Sequence, residues 1–588
     1  MKGLRRALVA VAAGLVLADA SIVALALPPI LVEMNTTITG VAAIVGIYAL
    51  VLALGILPAA RLRPERAGVW GLGLFAAASL GCGMAGSLGV LLTFRVLQAA
   101  GGAAALLAAF HVLDAGESRA GRRLWLGAAL AGTAAGPALG GVLTEVFDWR
   151  AIFFVQVPIA AVAAIACLRS APVVAGDETA WEARADDSEP ETGLWSRGAA
   201  VPTHTAPSPD RGTARVTATD FAARPKAAPL DGASLVPLAS LAFTAAAFTA
   251  ILFLLVIELV AGFAISPLRA ALGVTVLPVA ALAAAAIPGP PKPRALAGAV
   301  LLAGGAAALA FLPAAGIAWT IVPQLLAGAG MGLALPAYSG ELLPERNVTE
   351  AARVLVARHV GIVVVLAILA PVATHKLQVT TEQAILQGAA LVLDAQIDPL
   401  QKLALAPALF AKVDADRPRA ALQDAVDRHR AQFADDAAVY DRLAGRLDDV
   451  VVVAVQDAFK TAFLIAAALA VLAAALLATA WRKPAVWLAT AAAIGTVAVY
   501  AAEHSARAPA PVILEDPCKE RQLPEAGGFA GAIQNEALQL LDRAACQAGT
   551  SREEYALALF DPERAKQFER DHGVNPRGAG GLLSLLGG

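Results

Sequence analysis

Thirteen apolar runs recur along the 588-residue chain, each near the roughly 20 residues that an α-helix needs to cross a bilayer core of about 30 Å. In the first half they are Ala7 to Pro28, Gly40 to Ala60, Val69 to Gly86, Leu88 to Leu113, Leu124 to Val146 and Ala151 to Leu168. The second half supplies Leu235 to Phe263, Leu268 to Ile287, Ala295 to Pro313, Ile317 to Tyr338, Val360 to Thr374, Phe459 to Trp481 and Ala485 to Ala502. With 58% hydrophobic and 16% charged residues, against about 45–50% and about 25% in soluble domains, the chain has more apolar surface than a water-soluble fold can hide. A formal net charge of −2, with no clustered basic face, excludes nucleic acid as a partner. The opening MKGLRRALVAVAAGLVLADA has the basic start and small-residue end of a signal peptide. Apolar sequence continues through SIVALALP and many spans follow, so it reads as an uncleaved first helix.

The short loops set an orientation. With the N-terminus inside, the cytoplasmic loops carry RLRPER, ESRAGRR, PGPPKPR, PERNVTEAARVLVAR and WRK, whereas the opposite loops contain only Arg150 as a basic residue. That asymmetry follows the positive-inside rule and places the C-terminal tail outside.

Three polar pieces interrupt the pattern. Residues 169–234, rich in Pro, Thr, Ala and mixed charges, read as a disordered cytoplasmic linker between a first six-helix unit, 1–168, and helices seven to eleven, 235–374. Residues 375–458 read as an extracytoplasmic insertion of two or three amphipathic helices before helix twelve, 459–482, and an extra helix thirteen, 485–502. Residues 503–588 form an extracytoplasmic tail with a helical patch at GAIQNEALQLLDRAACQA and a Gly-rich end.

Cys82 and Cys167 lie inside spans and read as small buried apolar residues. Cys518 and Cys546 form an even pair in the exported tail and read as a disulfide, which would contribute roughly 3–4 kcal/mol by closing a loop of about 29 residues. Neither has a His or Cys neighbour at zinc spacing, so no metal is expected.

The string GTAAGPALGGVLTEVFDWRAIFFVQVPIA, spanning the fifth and sixth helices, resembles the antiporter motif of major facilitator drug/proton exporters and its continuation in the group usually described with fourteen helices. LADASIVALALPPI, RVLQAAGGAAAL, GFAISPLRAALGVTVLP and GAGMGLALP are similar to further patterns of that group, so the resemblance covers roughly Ala7 to Pro371. It implies an all-α polytopic membrane protein of major facilitator fold: two six-helix bundles around a central cavity, plus here one extra C-terminal transmembrane helix. Physically, Gly132, Gly136 and Gly140 fall four apart on one helix face, with Gly141 beside them, and admit a neighbouring backbone. Pro137 frees a carbonyl and bends the helix.

Two departures stand out. The loop after the second helix keeps Gly55, Arg61, Arg63 and Arg66 of the family's cytoplasmic latch but lacks its Asp. The two extra helices of the fourteen-helix group are replaced by the linker.

A charge near the bilayer centre costs about 2.5–3.5 kcal/mol, so it seeks a partner or a cavity. Asp19 and Arg95 both sit roughly 10–14 Å below the outer boundary by helical rise, a common depth at which they can meet in the first half. The pair is either a proton-exchange device, with Arg95 keeping Asp19 ionised until substrate separates them, or a permanent packing bridge. Glu258 stands where the group usually has Gln and is the third proton-coupling candidate, although its nearness to Gly262 equally suits a solvated vestibule. Gln98, Gln156, Gln324 and Tyr338 are the candidate polar lining of the cavity, while His111, His359 and His375 read as interfacial.

No HExxH, GxSxG, Walker loop or Cys/His cluster points to an enzyme or a cofactor. The expected function is proton-coupled export of an amphipathic or hydrophobic small molecule by alternating access in the inner (plasma) membrane, with substrate, protons and lipid as partners. The alternative is a transporter-derived scaffold or sensor whose exported segments bind an extracytoplasmic protein partner.

Overall fold

Polar residues in the short loops decide where the long helices begin. Thr37, Ser87, Ser118 and Asn347 occupy N-cap positions, each side chain accepting from the backbone N–H three residues on. Glu350 accepts from the Arg346 N–H at 2.9 Å, so Asn347 and Glu350 share the free donors at that helix start.

The computed structural model describes residues 2–168, 232–339, 341–395, 417–433, 437–519, 521 and 528–578. The first half holds α1 (Lys2–Ala24), the short α2 (Leu27–Glu33), α3 (Ile38–Ala59), α4 (Pro64–Gly83), α5 (Leu88–Val112) and α6 (Arg119–Val146). Its sixth span is made of α7 (Ala151–Phe154) and α8 (Gln156–Leu168). The second half holds α9 (Gly232–Ile257) with a closing π turn (Glu258–Gly262), then α10 (Pro267–Val274) and α11 (Val276–Ala285) as one span. It continues with α12 (Pro291–Leu309), α13 (Ile317–Tyr338), α14 (Val348–Leu393), α15 (Pro418–His429), α16 (Ala437–Ala475) and α17 (Pro484–Arg507). The tail folds as α18 (Gly528–Ala548), α19 (Arg552–Phe560) and α20 (Pro562–His572). Among the described residues nine helical segments are long and apolar enough to cross a membrane.

Close glycine contacts repeat across the halves. Gly71 and Gly101 bring α4 and α5, the third and fourth helices of the first half, backbone to backbone, and Gly298 and Gly330 do the same for α12 and α13 in the second. The extra helix, α17, packs outside the second bundle, where Tyr500 donates to the Trp319 carbonyl at 2.7 Å.

The insertion differs from expectation. The eleventh helix does not stop near Thr374, nor does the twelfth start at Phe459: α14 runs for 46 residues and α16 for 39, about 69 Å and about 58 Å of helix. Nothing in THKLQVTTEQAILQGAALVL breaks the helix, so the flanks of the insertion continue the spans outward. Val392 of α14 packs there with Tyr440, Leu443 and Leu447 of α16. Among the described residues of the insertion, α15 is the separate amphipathic helix, held by a two-pronged Arg419–Asp448 pair at 2.7 Å. The tail has its own small core of Ala545, Tyr555 and Phe568 and a Cys518–Cys546 disulfide. It docks on the outer length of α14 through Leu557 against Ala389 and through Arg552–Asp394 at 2.7 Å. Of the expected linker, 169–231 lie outside the described residues, as do 396–416 and 434–436 of the insertion and 579–588 of the Gly-rich end.

Candidate functional site

Four helices of the first half converge on one buried polar network. Asp19 (α1) and Arg95 (α5) form a fully buried ion pair at 2.6 Å. Gln156 (α8) donates to the second Asp19 oxygen at 3.1 Å, and Gln98 (α5) accepts from Arg95 at 2.7 Å. Gln98 also donates to Gln156 at 2.9 Å and to Ser79 (α4) at 2.8 Å. Arg95 Nε donates to the Ile44 carbonyl at 3.2 Å, and its guanidinium lies 4.3 Å from the centre of the Tyr48 ring. Gln98 and Gln156 therefore satisfy the ion pair rather than line a cavity as expected.

The second half arranges its polar residues differently. Gln324 donates to Thr320 at 2.8 Å, and Tyr338 is bonded to Ser240 at 2.6 Å, so these two also stay within their bundle. Glu258 is buried, not in a solvated vestibule, and its Oε2 has no hydrogen-bond partner. The cause is the long α16: Val455 covers the π turn at Gly262, and Arg419 of α15 donates to the Phe263 carbonyl at 3.0 Å.

On α6, Gly132, Gly136 and Gly140 face α1, where any Cβ would overlap the Gly14 carbonyl, the Ser21 hydroxyl and the Ile22 carbonyl respectively. Pro137, inside the same helix, is buried. Gly141 lies against Ala271 of α10 in the other half. Close by, Leu268 N–H donates to Glu145 at 3.3 Å, and Thr39 meets Thr374 at 3.2 Å, so the halves touch at this end. Trp149 and Arg150 of the FDWR string bind Glu33 at 2.5 and 2.7 Å there, and these bonds hold its carboxyl below the usual range.

The halves also touch at the opposite end. Ala351, Ala352 and Leu355 of α14 are buried in one cluster with Phe110 and Trp125, and Gly116 sits under the Arg346 carbonyl. Burial pushes the Glu345 carboxyl up to about 7, against hydrogen bonds from Trp125 and Ser339 and the Arg122 charge, which lower it. Arg61, Arg63 and Arg66, expected to latch this end, are exposed and carry no ion pair among the described residues. Between the closed ends lies a cavity of about 50 Å³ whose polar wall is Ser21, Tyr48, Thr249, Arg358 and His359. It is far below the roughly 300–1,000 Å³ of a ligand site, as befits halves closed on each other.

The sequence pattern of the Major Facilitator Superfamily matches residues 9–355. The chain belongs to this superfamily. Among curated major facilitator relatives, the Tetracenomycin C resistance and export protein of Streptomyces glaucescens is 34% identical over 172 residues, 27% of this chain and 32% of that protein. The Methylenomycin A resistance protein of Streptomyces coelicolor is 31% identical over 164 residues, 26% of this chain and 34% of the relative. The chain spans about a third of the length of these relatives. A solved bacterial homolog of the human lysosomal transporter Spinster, in an inward-facing and unoccupied conformation, aligns over 82% of this chain and 99% of its own, at 14% identity and TM-score 0.49. As a major facilitator protein with many apolar helices, the chain is a multi-pass membrane protein.

The family patterns gave no sign of Arg358 and His359 on the cavity wall. A local signal was there: Asn347 and Glu350 cap a helix at Val348, which carries Arg358 about 15 Å along it. His359 is accordingly buried, not interfacial, with Nδ1 against the Leu355 carbonyl at 2.7 Å.

Proposed function

We propose that the protein is a proton-coupled secondary transporter that exports an amphipathic or hydrophobic small molecule by alternating access. One observation carries this reading: Tyr48 stands under the Arg95 guanidinium and also on the wall of the cavity between the halves. Leu17 and Ser21, flanking Asp19 on α1, are on that wall too. A molecule entering the cavity presses on the shell of the Asp19–Arg95 pair. A proton arriving at Asp19 cancels its charge and releases Arg95, which keeps Gln98 and the Ile44 carbonyl as partners. The two events compete through one side chain, which is the coupling an exchanger needs. The small-residue face of α6 fixes it to α1 within the first half, and Gly141 beside that face, against Ala271 of α10, gives a close contact on which the halves can rock.

In this reading the N-terminus and basic loops are cytoplasmic, and the stalk and tail are outside. The disulfide supports that side, because such bonds persist in oxidising compartments. The names of the relatives, which speak of resistance and export, support an exporter. Purified protein in liposomes, screened over a compound panel, should release protons when substrate is added. Silence across the panel, with wild-type phenotypes for Asp19 and cavity variants in cells, would instead favour a scaffold or sensor. The projecting α14–α16 stalk and its docked tail support that second reading.

A further inference from the structure

We infer that Arg358 is the recognition point for an anionic headgroup, so that the substrate class is an amphipath carrying a carboxylate, phosphate or sulfonate; the inference rests on the exporter reading for its physiological meaning, not for the site itself. Arg358 faces the cavity between the halves from α14, and among the lining residues it alone carries a permanent charge. No acid lines the cavity, and the rest of the wall is largely apolar, with Phe248, Leu252 and Ile362 suited to a hydrocarbon tail. Among the described residues Arg358 has neither an ion pair nor a hydrogen bond.

Three buried acids of the two halves and their loops are engaged elsewhere or out of place. Asp19 is held by Arg95 and Gln156, Glu258 sits on the π turn away from the wall, and Glu345 bonds to Trp125 and Ser339. A cation kept in a span without a counter-charge is costly and marks a ligand or ion path. A guanidinium presents a planar fork that matches the two oxygens of a carboxylate or phosphate. His359 beside it spends its Nδ1–H on the Leu355 carbonyl, which leaves Nε2 of the neutral ring an acceptor, so the charged donor for an anion on this wall is Arg358. Ser21 and Tyr48 face the same space from the first half, so an anion on Arg358 sits where parting of the halves enlarges the cavity. A cationic amphipath would be repelled, and a neutral one would leave Arg358 unpaired.

The test uses the full chain in detergent micelles with two fluorescent probes, dansyl-undecanoate and its methyl ester, which differ only in charge. The carboxylate should bind at least about tenfold tighter than the ester, a margin in keeping with a charge-assisted bidentate bond. Arg358→Gln should erase the preference and Arg358→Lys should keep part of it, both in protein that stays monodisperse. Equal affinity of the wild type for acid and ester overturns the inference without any variant being needed. So does a preference that survives Arg358→Gln. Carboxylate preference in a protein that exports nothing in liposomes would leave the anion site standing and remove the exporter reading. Export of neutral compounds indifferent to Arg358→Gln, with no carboxylate preference, would do the reverse.

Discussion

In the first half, side chains from four helices bring Asp19, Arg95, Gln98, Gln156 and Ser79 into one hydrogen-bonded set. The second half, built on the same helix plan with the same glycine contacts between its third and fourth helices, shows among its described residues separate small sets instead: Gln324 with Thr320, Tyr338 with Ser240 and Thr244, and Glu258 with an unpartnered Oε2. The backbone is therefore pseudo-symmetric while its chemistry is not. A charge network inside one rigid bundle can store a proton without touching substrate, whereas the unpaired Arg358 on the other bundle is free to meet one. In the proposed reading, coupling falls to the first half and binding to the second.

The sharpest way to break that division is to remove one member of the ion pair at a time. Arg95→Met strands the Asp19 carboxylate and should cost about 3–5 kcal/mol of stability, seen as lost expression and a large fall in Tm. Asp19→Asn should cost less, because Asn is nearly isosteric and uncharged, and the double variant should be less damaged than the sum of the two. Equal, additive losses would mean that the pair is not a unit.

The tail offers a contrast outside both halves. Cys518→Ser should cost roughly 3–4 kcal/mol in the chain-entropy picture, all of it local to the tail. Limited proteolysis should nick the tail while the bundles keep their Tm. Next in size is the α1–α6 seam: Gly136→Val should cost about 1–3 kcal/mol by overpacking, whereas Gly127→Val on the same helix, with nothing within 4 Å, should be nearly neutral in thermal unfolding.

The smallest effect concerns the end closed by Glu345. Its carboxyl, near 4.5 when free, is raised to about 7 in the closed arrangement, so the closed form binds the proton more tightly. Closure is therefore favoured most below pH 4.5 and is lost as pH rises through about 7. Between about pH 6 and 8 the closed-to-open ratio should fall about tenfold. Spin labels at Ser118 and Arg346 should report the opening, and Glu345→Gln should flatten the pH dependence.

Much of the fold was legible because lipid imposes a length and a polarity on every span. Asp19 and Arg95 stood out as charges in apolar runs, and the helical rise put them at one depth, where they meet. The glycine spacing of α6 likewise read directly as a close backbone contact. What stayed hidden depended on long-range packing. Gln98 and Gln156 differ from cavity residues only in which way their helix faces. Glu258 is buried because α15 and α16 lie over it, although nearly 200 residues separate Gly262 from Val455 in sequence. Arg358 was masked because the apolar run starts at Val360 while the helix starts at Val348, making a residue of the cavity wall look like one of a basic loop.

The division of labour is tested most directly by uphill transport in proteoliposomes carrying either Asp19→Asn or Glu258→Gln, with an imposed proton gradient and a substrate found in the panel. Asp19→Asn is expected to equilibrate substrate without concentrating it, and Glu258→Gln to concentrate it as well as the parent protein does. Accumulation by Asp19→Asn at the parent level, or its loss in Glu258→Gln alone, would contradict the assignment of coupling to the first half.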